Sequence, residues 1–367
     1  MTVRARLDAS PTALVLSLAA LLGVLLGASM HRLRFCTLGA ISDWINLGDF
    51  NRMRQWLIAM ATAIVLTQTL WAAGLIHVEQ SFYLVPKLNW LSHLLGGLLF
   101  GFGMVLASGC GSKTLIRIGT GSLKSLIVFL VMGFSAYLTM RGILAWLRVQ
   151  WLEPLAIGVG TAQDLPRLIL GDELSATGRL AVSVLVAGVL LLIAFRGIAR
   201  EQLNEALGGS LIGLLVAALW VVSAWLGYIE EHPDTLEEAF VATNSRGPES
   251  FSFVAPMAYT LDYLMLHSDR SKTLTIGIVS VVGVVLGAMF DARRTRAFRV
   301  EGFQGSEDTA LHLLGAAFMG IGGVVAFGCT IGQGLSAVSL LALSALITVP
   351  AIIAGAWLAM RWQFGRL

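Results

Sequence analysis

Three cysteines are the residues of this 367-residue chain whose type and setting suit chemistry: Cys36, Cys110 and Cys329. None belongs to a Cys-x-x-Cys pair, so neither a zinc site nor a redox dithiol is predicted, and no cofactor or metal is expected. A lone cysteine is most often a small buried hydrophobe. Here the setting repeats, because Ala107-Ser-Gly109-Cys110-Gly has a counterpart in Ala326-Phe-Gly328-Cys329-Thr. Each cysteine follows an apolar stretch and opens a short helix-compatible segment. A helix N-terminus presents unpaired N–H groups and positive dipole character, which suits an anion. A thiol is a weak, polarizable donor that stays uncharged unless its pKa falls. A ladder of thiols would hold a soft, sulfur-rich anion weakly enough to pass it on, where a buried Arg would trap it. Cys36, Cys110 and Cys329 are therefore candidate substrate-binding residues, with Gly109 and Gly328 letting the backbone turn at the breaks. Lys113 and Arg117 would draw an anion to one mouth, and Gln333, between Gly332 and Gly334, is a candidate for lining the other. His93 and His312 open their stretches and are expected to be caps or interfacial anchors.

The elements that must position these residues are apolar. Hydrophobic residues make up 56% of the chain and charged residues 13%, with mean hydropathy +0.79. Soluble domains carry about 25% charged residues, so lipid is the expected solvent. Forty glycines suit helices whose backbones approach closely in a membrane. The net charge of +3 is spread between apolar stretches, and no nucleic-acid surface is expected. Arg4 and Arg6 precede an apolar run as in a signal peptide, but that run reaches Met30 without an A-x-A site, so the first helix is expected to stay.

A span needs about 20 apolar residues. Nine are predicted, at 13–30, 55–76, 92–109, 123–147, 179–198, 207–228, 273–290, 311–328 and 341–361. Four shorter segments, 36–48, 110–121, 248–266 and 329–340, cannot cross alone. Re-entrant segments of this kind need surrounding protein or a water-filled cavity. Basic residues then set direction. Arg32, Arg34, Arg52, Arg54, Lys113, Arg117, Lys124, Arg196, Arg200, Arg293, Arg294, Arg296 and Arg299 fall on one side, while Glu230, Glu231, Asp234, Glu237 and Glu238 fall on the other. This puts the N-terminus outside and the C-terminus inside. Arg141, Arg148, Arg167 and Arg246 run against the rule.

The chain also repeats itself. His93-Leu-Leu-Gly-Gly-Leu-Leu-Phe-Gly-Phe-Gly leads to the first Gly-Cys, and His312-Leu-Leu-Gly-Ala-Ala-Phe-Met-Gly-Ile-Gly leads to the second. The copies lie on the third and eighth spans, an odd offset that makes them run in opposite directions. Inverted repeats are typical of transporters, with the substrate path at the repeat interface. The fold class expected is an all-α polytopic membrane protein of about nine transmembrane helices, an inverted repeat with short re-entrant helices. It forms one transport domain over 1–367, with repeats at about 13–147 and 207–361 and a linking span at 179–198. Under the same offset Phe35-Cys36-Thr37-Leu38 pairs with Phe251-Ser252-Phe253-Val254, which makes Ser252 a further candidate. A rival match between Gly23-Val-Leu-Leu-Gly27 and Gly283-Val-Val-Leu-Gly287 has the wrong parity and reads as two packing faces.

Arg34-Phe-Cys36, Ser108-Gly-Cys110-Gly and Phe327-Gly-Cys329-Thr-Ile-Gly-Gln-Gly, on nine spans in an inverted repeat, resemble the YeeE/YedE family over most of the chain. The resemblance implies thiosulfate uptake from the periplasm across a bacterial inner membrane, with the cysteines relaying the ion by weak S–H hydrogen bonds. It implies a transporter rather than an enzyme, and a TusA-like sulfur-carrier protein as a cytoplasmic partner. Alternative readings are a membrane thiol or sulfane-sulfur exchange protein, and transport of a selenium compound. The stretches 148–178 and 229–250 carry no function in this reading.

Overall fold

The computed structural model describes residues 11–160, 162–171, 174–198, 202–231, 236–269 and 271–364, so Arg4, Arg6, Arg200 and Asp234 lie outside the described residues. Its helices follow the apolar stretches in order. They are α1 (Pro11–Arg32), α2 (Thr37–Ser42), α3 (Asn51–Ala72), α4 (Trp90–Leu106), α5 (Gly111–Gly119), α6 (Leu123–Arg141) and α7 (Ile143–Leu147). Next come α8 (Leu165–Leu170), α9 (Ala176–Phe195), α10 (Leu203–Val221), α11 (Val254–Met265), α12 (Ile276–Arg294), α13 (Ser306–Val325) and α14 (Leu343–Phe364). Among the described residues nine helices are long and apolar enough to cross a membrane, as the sequence predicts. Residues 330–339 form a further short helix with a π-wound centre, Gly332–Ala337. Strand pairing among the described residues is confined to loops: Lys87–Leu88 with Ile157–Gly158, and Tyr228–Ile229 with Ala239–Phe240. The expected span 123–147 is shorter, because Gly142 turns extended and the chain leaves α6 for α7.

Small residues decide which helices touch. On α1 and α12 the two GxxxG stretches face one another, and a Cβ on Gly27 would stand 2.1 Å from the Val284 carbonyl oxygen. A Cβ on Gly287 would stand 1.9 Å from that of Val24. Nothing larger than hydrogen fits, so van der Waals contact between backbones holds this pair. In the same manner α3 packs on α10, and α4 lies against both α13 and α14, with α6 on α13. The face turned to surrounding solvent is rich in Leu, Val, Phe and Trp, as lipid contact requires.

Two loops reach inward and pin turns. Leu343 N–H donates to Gln163 O and Leu165 N–H to Leu341 O, both at 2.9 Å, so the segment after α7 is bonded to the turn that precedes α14. The buried Asp164 carboxylate accepts from Arg179 Nη1 at 2.9 Å, and the same guanidinium lies 3.5 Å over the Trp71 ring. On the other turn Arg299 N–H donates to Thr120 O at 3.0 Å, and Leu123 N–H to Glu301 O at 2.8 Å. Both turns join a short helix to the next long one.

Candidate functional site

One local construction occurs three times. Helices α1, α4 and α13 each end in a residue with left-handed backbone: Arg34 (φ 52°), Ser108 (φ 55°) and Phe327 (φ 56°). In each case the next N–H turns back five residues: Phe35 N to Met30 O at 3.0 Å, Gly109 N to Met104 O at 2.9 Å, Gly328 N to Gly323 O at 2.8 Å. This is the Schellman closure, which satisfies carbonyls at a helix end and normally uses glycine at the left-handed position. The following residue is in every case the cysteine, which then caps a new short helix. The expectation that Gly109 and Gly328 supply the turn is corrected: the left-handed residue is the one before each glycine. A Cβ on Gly109 would meet only the Lys113 side chain, at 3.0 Å.

The three thiols are free and buried, with Cys110 and Cys329 fully so. Cys36 Sγ accepts the Gly39 N–H at 3.4 Å, and Cys329 Sγ accepts the Gly332 N–H at 3.4 Å. The Phe253 and Ile331 N–H groups also face the Cys329 sulfur. Cys110 Sγ has hydroxyls instead, Ser112 Oγ at 3.3 Å and Thr37 Oγ1 at 3.9 Å. Cys110 is an electrostatic neighbour of both Cys36 and Cys329. A sulfur that accepts an N–H keeps its own S–H free to donate elsewhere.

Lys113 and Arg52 are charged neighbours of Cys36, and Arg52 lies 3.3 Å from Asp43. At the other end a Cβ on Gly332 would stand 2.7 Å from Ser252 Oγ and 3.0 Å from the Tyr83 hydroxyl. Ser252 and Gly328 line a cavity of about 170 Å³, with Phe327, Arg148, Glu249 and Tyr259 also in its wall. A smaller space of about 40 Å³ lies between Thr37 and Thr330, the residues that follow Cys36 and Cys329. Of the sequence candidates, Ser252 and Gly328 share one cavity wall, and Lys113 and Cys110 are charged or polar neighbours of Cys36.

Gln333 does not line the cavity. It is fully buried, and its amide nitrogen donates to Ala326 O at 2.9 Å and Phe327 O at 3.3 Å, which ties down the break instead. Nor is His93 a surface anchor: it is buried, with Nδ1 at 3.1 Å from Ala326 O. His312 is buried as well and bonds within its own turn, Nδ1 to Asp308 O at 2.8 Å. Sequence reasoning missed Thr37, Arg52 and Tyr83. Thr37 adjoins Cys36 and was within reach of a spacing argument; Tyr83 sits in a loop with no local cue. Among the described residues no group of three His, Cys, Asp or Glu side chains is placed to hold a metal ion.

Nine long apolar helices among the described residues, with short helices that each start at a cysteine, define an integral membrane transport protein. The chain belongs to the sulphur transport family, whose model matches residues 32–358, and this bears out the resemblance seen in the sequence. It is 28% identical to the thiosulfate transporter TsuA of Escherichia coli (strain K12), over 92% of this chain and 91% of that one. It is 26% identical to the thiosulfate transporter TsuA of Spirochaeta thermophila, over 93% of this chain and 97% of that one. Both relatives are transporters rather than enzymes.

Proposed function

We propose that this chain carries thiosulfate inward across a bacterial inner membrane, along the series Ser252, Cys329, Cys110 and Cys36. The observation that carries the reading is the triple break-and-cysteine construction, with Cys110 a near neighbour of both other thiols. Thiosulfate has a soft terminal sulfur and hard oxygens. Short-helix N–H groups suit the oxygens, and the free S–H groups suit the sulfur without fixing a full counter-charge beside it. Each contact is weak, so the ion is released as readily as it is held.

Helix pairing supports the inverted repeat. Exchanging each span with its counterpart five spans away turns the α1–α12 contact into α10–α3, and the α4–α14 contact into α13–α6, while α4–α13 maps onto itself. By the distribution of basic residues the N-terminus is periplasmic and the C-terminus cytoplasmic. A TusA-like carrier would receive the ion on the face bearing Lys113 and Arg52.

Uptake of ³⁵S-thiosulfate into right-side-out membrane vesicles, with sulfate and selenite as competitors, tests the reading. Saturable uptake that excess sulfate leaves largely intact is expected. Uptake no faster than in vesicles without the protein would end it.

A further inference from the structure

Two arginines near the start of α3 are used differently. Arg54 is a fastener: its Nε donates to Ala194 O at 3.1 Å, its Nη1 to Asn51 Oδ1 at 2.8 Å, and its Nη2 to the Arg196 and Gly197 carbonyls at 3.3 Å. Arg52 has no such duty. Among the described residues its one ion pair is with Asp43, 3.3 Å away. The two side chains are 37% and 21% exposed, and ion pairs this exposed contribute little, so exchanging the partner costs little.

The guanidinium has a seat on α2. A Cβ on Gly39 would stand 2.5 Å from Arg52 Nη1 and 3.5 Å from its Cζ, so the cation fills the space where a side chain would be. The Gly39 N–H is the one that reaches Cys36 Sγ, at 3.4 Å, and the Gly39 carbonyl accepts from the N–H of Asp43. Steps of three and four residues keep to one side of a helix. Cys36, Gly39 and Asp43 therefore follow one another along one side of α2, with Arg52 lying on it. Lys113 is the second cation beside Cys36, its stem set against Gly109. Lys113 forms no ion pair among the described residues. Beside the thiol there are thus two cations and one carboxylate.

We infer that Arg52 and Lys113 form a holding site for the dianion next to Cys36, and that Asp43 empties it by taking Arg52 back. With Asp43 swung away, two positive charges face two negative ones. With Asp43 returned, one positive charge remains and a carboxylate repels the ion. The site is strong while it fills and weak while it empties, so a fixed charge here does not trap the ion as one buried at the thiols would. The inference deepens the proposed function and rests on its inward direction.

The test compares initial uptake of ³⁵S-thiosulfate by vesicles carrying the wild type, Arg52→Gln, Asp43→Asn, the double variant Arg52→Gln/Asp43→Asn, and Arg294→Gln. Arg294 is an exposed control at the end of α12 on the same face, where Asp291 meets His31 of α1 at 2.6 Å. Asp43→Asn leaves Arg52 without its carboxylate, so half-saturating concentration and maximal rate are both expected to fall, by about three- to fivefold. Arg52→Gln is expected to lower the maximal rate with half-saturation unchanged or raised. The double variant is expected to follow Arg52→Gln, because Asp43 acts only through Arg52. Gly39→Ala keeps the charge and the backbone N–H but fills the seat, and is expected to move the rate in the same direction as Arg52→Gln. Arg294→Gln is expected to change either quantity less than about twofold. Asp43→Asn behaving as the wild type, or keeping its tighter half-saturation when Arg52 is gone, overturns the inference. Equal thermal midpoints are expected throughout, and a shift in half-saturation is a readout that lost folding does not produce. Equilibrium dialysis of the purified proteins against labelled thiosulfate separates the two readings. Binding that tightens in Asp43→Asn and weakens in Arg52→Gln, in a protein without uptake, keeps the site and ends the transport reading. Uptake by the wild type with the same binding and rate in every variant does the reverse. Absence of both binding and uptake overturns both.

Discussion

His93 and Ala326 stand on different helices, and the imidazole Nδ1 of the first lies 3.1 Å from the carbonyl oxygen of the second. Ala326 opens the break that ends at Cys329, so a residue of α4 holds the bend at the end of α13. A carbonyl only accepts, so this contact is a hydrogen bond in the tautomer that carries the proton on Nδ1, and the Thr348 hydroxyl lies 3.1 Å from the same nitrogen. His93→Leu removes that donor in a buried setting, and an unpaired buried acceptor costs about 1–3 kcal/mol. The Gln333 amide, at 2.9 Å from the same oxygen, covers part of the loss. A lower thermal midpoint and slower thiosulfate uptake are therefore expected for His93→Leu, with His93→Gln nearer the wild type because it keeps an N–H. Equal behaviour of the two variants would show that the ring matters only as volume.

The cysteines separate stability from transport. Cys36 and Cys329 cap their helices through sulfur at 3.4 Å, a longer and weaker contact than an oxygen cap makes. Serine is among the preferred N-caps, and a good cap is worth about 0.5–2 kcal/mol over Ala. Cys36→Ser and Cys329→Ser should therefore raise the thermal midpoint or leave it unchanged, while slowing uptake because a hydroxyl is harder and better hydrated. Ala variants of Cys110 and Cys329 should reduce uptake more than Ser variants do. Near-normal uptake in Cys110→Ala/Cys329→Ala would end the relay.

The spans and breaks were legible in the sequence because both are local: apolar length fixes the first, and Gly-Cys after an apolar run fixes the second. The GxxxG faces on α1 and α12 were legible for the same reason, and they meet as packing surfaces. What the sequence hid depends on distant contacts. Nothing near His93 announces that its ring reaches Ala326, and nothing near Asp164 announces its ion pair with Arg179 or the docking of its loop before α14. The π winding at Gly332–Ala337 is hidden too, since Gly-Gln-Gly-Leu-Ser-Ala is too short and too small-residue-rich to show a period. Cys329 is followed thirteen residues later by the bridge at Ala342, whereas Cys110 is followed twelve later by that at Ser122.

The backbone at the breaks gives a prediction opposite to a simple reading of the Gly-Cys motif. Ser108, not Gly109, occupies the left-handed region, which costs an L-residue about 1–2 kcal/mol. Ser108→Gly should raise the thermal midpoint. Gly109→Ala should be tolerated, because its Cβ meets only the flexible Lys113 stem at 3.0 Å. Gly328→Ala should cost more, since its Cβ meets Gln333 Cγ at 3.0 Å and that side chain is tied to the break. Thermal midpoints in detergent measure all three; a Gly109→Ala variant less stable than Gly328→Ala would contradict this geometry.

Glu249 gives the stability a pH dependence. It lies outside the spanning helices, in the wall of the cavity that leads to Ser252. Its Oε1 accepts the Asn244 N–H at 2.9 Å and the Ser245 N–H at 2.6 Å, both of which favour the carboxylate. Burial outweighs them and pushes the carboxyl above its ordinary value of 4.5. A carboxyl whose folded pKa is raised binds its proton more tightly when folded. It therefore contributes stability that is fully present below the ordinary value and is lost as pH rises through the raised one. Burial also raises Tyr83 and Tyr259, so both phenols stay neutral across this window. Glu249→Gln keeps an oxygen for the two N–H groups and cannot ionise. Thermal midpoints of the two proteins should lie closest near pH 4 and separate as pH rises, with the Gln variant above the wild type. A difference that stays constant between pH 4 and pH 8 would mean that the carboxyl titrates alike in the folded and unfolded chain.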